Sequence, residues 1–414
     1  MKRLLSRRPS PRPPPPFSGA VDRRSGPFPA PTERLRSLCS IDLTLQEFFH
    51  SPPTTSTMGG GTGSSVSDAA SACNLKKEQA GRAAMSMEEF KIPNPTFSFK
   101  THPESYHWNI NCLTLADRKV LCTDQSGRSF LFDADTSHLV TMPNLNKPKS
   151  NPISLVVPSN SIDSEHNHSS GGSIYIMETI PDPERGSSEQ PSDQFEALFH
   201  NKPTMTSSDW QQIPPPLFVR DPSYWHTHPK ITSYAMVGGG SQGPYICISV
   251  EEAGTYCMDT KSHTWTHIGK WTLPFHGKVE YEPELKLWFG ISAESGFFAA
   301  ADLSNISTMD SQPQLISDWK ELDPLEDWEE SQDPQIVNLG SGWFCIARYF
   351  ETMSRDLIDQ NIVVLTGVKV VPHVLDDSCS SSGSSGLNEE VDLEVTMLKS
   401  RYHISKTTTI EAVF

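Results

Sequence analysis

The stretch GTYCMDTKSHTWTHIGKW (254–271) alternates apolar and polar residues on both sides of a polar turn, the pattern of two antiparallel strands joined by a hairpin. With the strand before it, ICISVEEAGTYCMD (246–259), it turns at Gly254. Three further stretches align by a turn glycine: VLCTDQSGRSFLFD (120–133, Gly127), ISLVVP to SSGGSIYIME (153–178, Gly172) and LWFGISAESGFFAAAD (287–302, Gly296). An acid follows each glycine by five or six residues, at Asp133, Glu178, Asp259 and Asp302. Glycine permits the positive φ of a tight hairpin, and a carboxylate at a strand end can accept from its own backbone. Either feature is common in β proteins, but their recurrence at one spacing marks copies of one unit.

A fourth strand with a large apolar anchor follows three of the hairpins. SDWQQIP (208–214), HTWTHIG (263–269) and SDWKELD (317–323) carry Trp210, Trp265 and Trp319, and SHLVTMP (137–143) takes that place without a Trp. Five units follow, at about 107–145, 152–216, 231–273, 276–322 and 334–406, and TFSFK (96–100) offers a strand from the front of the chain to close a ring. Four-stranded sheets too small to bury their own faces stack radially, so residues 96–414 are expected to form an all-β propeller of five or six four-stranded blades. Each Trp is expected to wedge between neighbouring blades. A pair of β-sandwich domains is the alternative. Polar stretches at 159–172, 181–194 and 376–390 read as hairpin loops.

Residues 1–95 are rich in Pro, Ser, Gly and Thr and show little apolar periodicity, which predicts a disordered tail. Residues 1–40 hold nine Lys and Arg against Asp22 and Glu33, a net +7 that leaves −23 for the rest of a chain whose total is −16. So acidic a body repels phosphate backbones and argues against nucleic acid. No apolar run approaches the roughly 18 residues of a spanning helix, which argues against a membrane. PSPRPPPP (9–16) opposes the amphipathic helix of an organellar transit peptide, so a cytoplasmic or nuclear monomer is the expectation and an organellar one the less favoured alternative. The eight cysteines stand singly, with Cys122, Cys247, Cys257 and Cys345 inside apolar runs, as small buried hydrophobes in a reducing compartment do.

Over TYCMDTKSHTWTHIGKWTLPFHGKVEYEPELKLWFGI (255–291), with WFCIARYF and VVLTGVKVV, the chain resembles a plant family of unknown function, expanded in grasses, with kelch-like repeats. That resemblance implies a kelch-like propeller over residues 100–406 and brings no activity with it. Gly238, Gly239, Tyr256 and Trp265 stand in kelch order, although the Tyr-to-Trp gap of nine is long.

The chemical motifs point away from catalysis. GGGSQG (238–243) fits both a nucleophile elbow and a dinucleotide loop, but each needs a following helix, and PYICISV reads as a strand. His226 and His228 in YWHTHP (224–229) would face one way on a strand, yet zinc needs a third ligand, and His166 and His168 lie in a polar loop. DWKELDPLEDWEESQD (318–333) carries eight acids against Lys320 and lacks a calcium-hand pattern. No metal or cofactor is therefore expected. The expected role is a non-catalytic scaffold for a protein partner, contacted through the loops holding Tyr224, Trp225, His226, His228 and Trp328. The alternative is a propeller hydrolase or lyase using a central-channel metal or acid pair, with His and Asp or Glu side chains from several blades meeting near the axis.

Overall fold

The computed structural model describes residues 2–9, 35–42, 87–100, 110–115, 118–158, 172–199, 209–238, 244–306, 309–352, 360–372, 393–405 and 408–413. Four strands come first: β1 (Lys2–Pro9), β2 (Leu35–Asp42), β3 (Glu88–Glu89) and β4 (Phe97–Lys100). Unit 1 is β5 (Ile110–Thr114), β6 (Lys119–Asp124), β7 (Ser129–Asp133) and β8 (His138–Met142). Unit 2 is β9 (Pro152–Pro158), β10 (Gly172–Glu178), β11 (Ser192–Leu198) and β12 (Gln211–Ile213). Unit 3 is β13 (Ile231–Val237), β14 (Tyr245–Val250), β15 (Gly254–Asp259) and β16 (Thr264–Gly269). Unit 4 is β17 (Phe275–Glu282), β18 (Leu287–Ser292), β19 (Phe298–Ala301) and β20 (Leu315–Trp319). Unit 5 is β21 (Trp328–Gly340), β22 (Trp343–Thr352), β23 (Asn361–Pro372) and β24 (Leu393–Ser405), and β25 (Thr408–Val413) follows. Each unit is an antiparallel meander, and β25, β1, β2 and β4 form a further sheet in that order.

Alternation along each strand gives every sheet two apolar faces, and each face meets the next sheet. Leu113 and Leu121 of unit 1 pack with Ile176, Leu198 and Trp210 of unit 2. Tyr175, Met177 and Phe195 of unit 2 pack with Ile248, Met258 and Trp265 of unit 3. Ala235 and Cys247 of unit 3 pack with Trp288, Ala299 and Ala301 of unit 4. Phe289 and Phe298 of unit 4 pack with Ile336, Phe344 and Ile346 of unit 5. Val337, Cys345 and Tyr349 of unit 5 pack with Cys39, Ile41, Ile410 and Val413. Leu38, Phe97 and Phe99 then pack with Ile110, Val120 and Phe132, which returns the series to unit 1. A closed series of sheets, each covering its neighbour, is a β-propeller. Among the described residues the helical elements are two short 3-10 turns, Leu217–Arg220 and Pro222–Tyr224.

The meanders follow the five expected units, and TFSFK supplies β4 at the outer edge of the further sheet. Within 1–95, the described segments form β1, β2 and β3, with β3 pairing in parallel to β24, while the remainder of that stretch lies outside the described residues. Cys39, Ile41 and Phe90 are among the best buried side chains in the molecule.

Three of the four aligned glycines serve one purpose. Gly127, Gly254 and Gly296 have φ of 79°, 94° and 70° and stand at the turn into the third strand of units 1, 3 and 4. Asp133, Asp259 and Asp302 then accept from the backbone N–H groups of Asp135, Lys261 and Ser304 at 2.9, 2.9 and 2.8 Å. Gly172 differs, because it begins the second strand of its unit. Its paired acid, Glu178, accepts instead from Ser150, on the link into β9, at 3.1 Å. The alignment of Gly172 with the others is therefore one strand out of step, because the polar insertion after β9 imitates a hairpin turn.

The tryptophans divide as well. Trp210 and Trp265 donate their indole N–H to the carbonyls of Pro143 and Pro214, each on the chain leaving the preceding unit, at 2.9 Å. Trp319 lies opposite Phe298 and packs toward unit 5, the following neighbour. A further correction concerns the thiols. Cys247 and Cys257 face each other on β14 and β15 with Cα atoms 4.1 Å apart, and they form a disulfide. Cross-strand residues three positions in from the ends of the strands at the turn, as these are, meet this closely when no ladder hydrogen bonds link the pair, which spacing counted along the chain does not reveal. Cys39, Cys122 and Cys345 are buried thiols.

One buried ion pair fastens units 1 and 2. The Lys149 ammonium, on the link into β9, contacts Glu196 of β11, and both side chains are fully buried. The ammonium also donates to the carbonyls of Lys147 and Asp193 at 2.7 and 2.9 Å, and Glu196 accepts from the backbone N–H of Asn146 at 2.8 Å. Burial pushes the Lys149 amine below its ordinary value, although Glu196 opposes that shift. Glu196→Ala is expected to destabilise the protein by about 3–5 kcal/mol, since it strands a buried charge. Urea unfolding of the variant and of Lys149→Met/Glu196→Leu measures this, with the double variant expected closer to the parent.

Candidate functional site: the axial channel

The first strands of the units surround two adjoining chambers. One, of about 310 Å3, is lined by the starts of β9, β13 and β17, by Asp333 to Ile336 of β21 and by Val413 of β25. The other, of about 640 Å3, is lined by the far ends of β5, β9, β13, β17 and β21 and by the turn from β5 to β6. Thr114 and Lys278 line both, so the chambers adjoin along the axis of the ring.

A bulge in β17 shapes the wall. Between His276 and Glu280 this strand slips register against β18, and over the same residues it pairs in parallel with β13, Ser233 with Gly277 and Ala235 with Val279. Units 3 and 4 thereby share one eight-stranded sheet. Gly277 takes φ 72° there, with no atom within 4 Å of the position a Cβ would fill. Bulges redirect side chains, and His276 and Lys278 on either side of Gly277 both line the channel.

Charged groups from three units meet at the smaller chamber. Asp333 of β21 is 3.0 Å from His276 Nε2, and Lys230, just before β13, lies 3.8 Å from the same carboxylate oxygen. Lys278 pairs with Glu280 at 2.8 Å. Burial pushes the Tyr234 phenol well up, and Glu280 adds to the shift. A carboxylate beside an imidazole and an ammonium can orient the ring and hold or pass a proton.

Tyr224, Trp225, His226 and His228 lie on the link from β12 to β13, in a 3-10 turn and the bend after it. Tyr224 packs against the cluster between units 2 and 3, and the Arg185 guanidinium stands 5.4 Å from the centre of the Trp225 ring. His226 and His228 are exposed and sit in a turn, so strand alternation does not align their rings. Trp328 opens β21 with its ring 5.4 Å from Phe350 and 6.3 Å from Tyr402. Lys230 follows the first segment by two residues and Asp333 follows Trp328 by five, and these two side chains stand 3.8 Å apart.

Residues 239–243 of GGGSQG lie outside the described residues, as do His166 and His168, and the element after that loop is the strand β14. Among the described residues no group of three or more His, Cys, Asp or Glu is placed to hold a metal ion. None of their helices is long and apolar enough to cross a membrane. His276, Arg118, Lys119 and Lys278 were not singled out in the sequence, and Asp333 stood there only as the last acid of the run 318–333. The signal that could have marked them is a charged residue inside an otherwise apolar first strand or at its turn.

The molecule is thus a β-propeller with a charged axial channel. The chain belongs to the family of proteins of unknown function DUF1668, whose match spans residues 29–403 and so takes in β2 to β23 and most of β24. No curated protein matches it. Among solved structures it is similar to the β-propeller domain of Cps50 (Swd1) from Myceliophteria thermophila, at 9% identity and TM-score 0.33, covering 63% of this chain and 80% of that one. It is also similar to apo AztD from Citrobacter koseri, at 10% identity and TM-score 0.30, covering 74% and 78%. A third is an auxiliary nutrient binding protein from Bacteroides thetaiotaomicron, at 10% identity and TM-score 0.31, with 61% of this chain covering 53% of that one. The fold stands on its own sheet order rather than on these superpositions.

Gly277→Val is expected to cost about 1–2 kcal/mol, from the left-handed backbone alone, since the space beside Gly277 is open. A thermal melt compared with that of Gly277→Asn, which tolerates this conformation better, separates backbone strain from steric clash.

Proposed function

We propose that this protein is a non-catalytic scaffold, a six-bladed propeller of the kelch-like type, which holds a protein partner on the face around the smaller chamber. The observation that supports the proposal is the contact of Lys230 with Asp333 at the smaller chamber, since these residues closely follow the segment of Tyr224 to His228 and the acidic segment around Trp328 in the chain. Asp323, Glu326, Asp327 and Glu329 are exposed beside Trp328, so the partner presents a basic surface. A ring braced through every sheet interface suits loops that must hold a fixed geometry. The partner acts as a protein, not a nucleic acid, because exposed carboxylates repel phosphate.

The pair of His276 and Asp333 supports a second reading, a hydrolase or lyase in which the imidazole serves as acid or base. Affinity capture with the full chain distinguishes the two. Replacing residues 224–228 with Gly and Ser, or Asp323, Glu326, Asp327 and Glu329 with Ser, is expected to reduce recovery of the wild-type partner at least tenfold. His276→Gln is expected to leave recovery unchanged. Equal recovery with both loop variants contradicts the scaffold reading, and an ester-hydrolysis or elimination activity lost only in His276→Gln establishes the second.

A further inference from the structure

We infer that the larger chamber binds a small organic anion, a molecule with an apolar body and one carboxylate or phosphate group. It lies at the other end of the channel from the proposed partner face and goes beyond that reading. The charge of its wall is the reverse of the charge of the chain. Arg118, Lys119 and Lys278 line it against a single carboxylate, Glu280, in a protein of net charge −16.

Each of these cations has a carboxylate near it, but two of the three carboxylates, Asp133 and Asp135, stand outside the chamber wall. Lys278 is held by Glu280 at 2.8 Å, and Arg118 reaches Asp135, outside the chamber wall, at 2.5 Å. The buried Nε of Arg118 has no hydrogen-bond partner among the described residues. Lys119 makes no ion pair within 4 Å among them, and its charge acts on Asp133, its cross-strand partner on β7. Cations in a recess with low-dielectric walls focus the field on its interior.

The rest of the wall sets the body of the ligand. Leu155, Val156, Met236, Val279, Val337 and Leu339 give an apolar lining from four units. About 640 Å3 lies within the range of small-molecule sites, which pair apolar walls with a few placed polar groups. Arg118 itself stands at φ 56°, a backbone conformation seldom taken by a side chain of its kind, in the turn from β5 to β6 at the wall of this chamber.

Titration calorimetry of the full chain with benzoate, phenyl phosphate and uncharged benzyl alcohol tests the inference. Benzoate or phenyl phosphate is expected to bind at least tenfold more tightly than benzyl alcohol, and the tighter of the two identifies the carboxylate or phosphate source. Lys119→Gln is expected to weaken the anion by about tenfold or more, Lys119→Arg to retain it, and Glu280→Gln to tighten it by freeing Lys278. The gain with Glu280→Gln remains readable if Lys119→Gln fails to fold. Equal affinity for benzyl alcohol, no binding of either anion at millimolar concentration, or no response to Lys119→Gln and Glu280→Gln would overturn the inference.

Discussion

Everything in this molecule depends on apolar contact between neighbouring sheets. A four-stranded meander with two apolar faces cannot shelter both by itself, and a row of such sheets leaves two faces bare at its ends. The closed series removes those ends. Its last step is made by β25, which pairs with β1, so that Ile410 and Val413 enter the cluster of unit 5 beside Cys39 and Ile41. Each fully covered Leu, Ile, Val or Phe in such a cluster contributes roughly 1.5–3 kcal/mol relative to its exposed state. Closure therefore affects every interface, because no cluster is terminal.

Polar chemistry is added to that frame at defined places. Glu196 with Lys149 ties unit 2 to the link before it, and Glu321 with Arg348 does the same between units 4 and 5, the Arg348 Nε donating at 2.6 Å. Buried pairs of this kind add little net stability but penalise wrong registers, since a misplaced sheet would leave a charge alone in the core. On the axis the same restraint is absent. Lys230, His276, Lys278 and Asp333 line an open channel, where charge is available to a visitor.

How much of this could be read from the chain follows from the range of each signal. The hairpins at Gly127, Gly254 and Gly296 were legible because the glycine, the strand and the closing Asp lie within a few residues of one another. Gly172 deceived for the same reason, since a Gly-Gly pair before an apolar run looks alike after a long insertion and in a tight turn. Trp319 carried no mark of which neighbour it faces, because one residue of register decides that. The strands at 2–9 and 35–42 were hidden by their surroundings of Pro and Ser, although LRSLCSID holds three apolar residues that end buried. The channel could not be foreseen at all. Arg118, Lys278 and Asp333 meet only through ring geometry and the bulge at Gly277, and neither has a local signature.

The most direct test of the ring is removal of its closing strand. Deletion of residues 408–414, followed by thermal unfolding and amide hydrogen exchange, should lower the melting temperature and speed exchange in β1, β2, β22 and β23 together. Two large buried side chains and a full strand pairing are lost, a cost of several kcal/mol. A deletion variant with the melting temperature of the parent and unchanged protection in β22 and β23 would contradict closure by β25 and the account built on it.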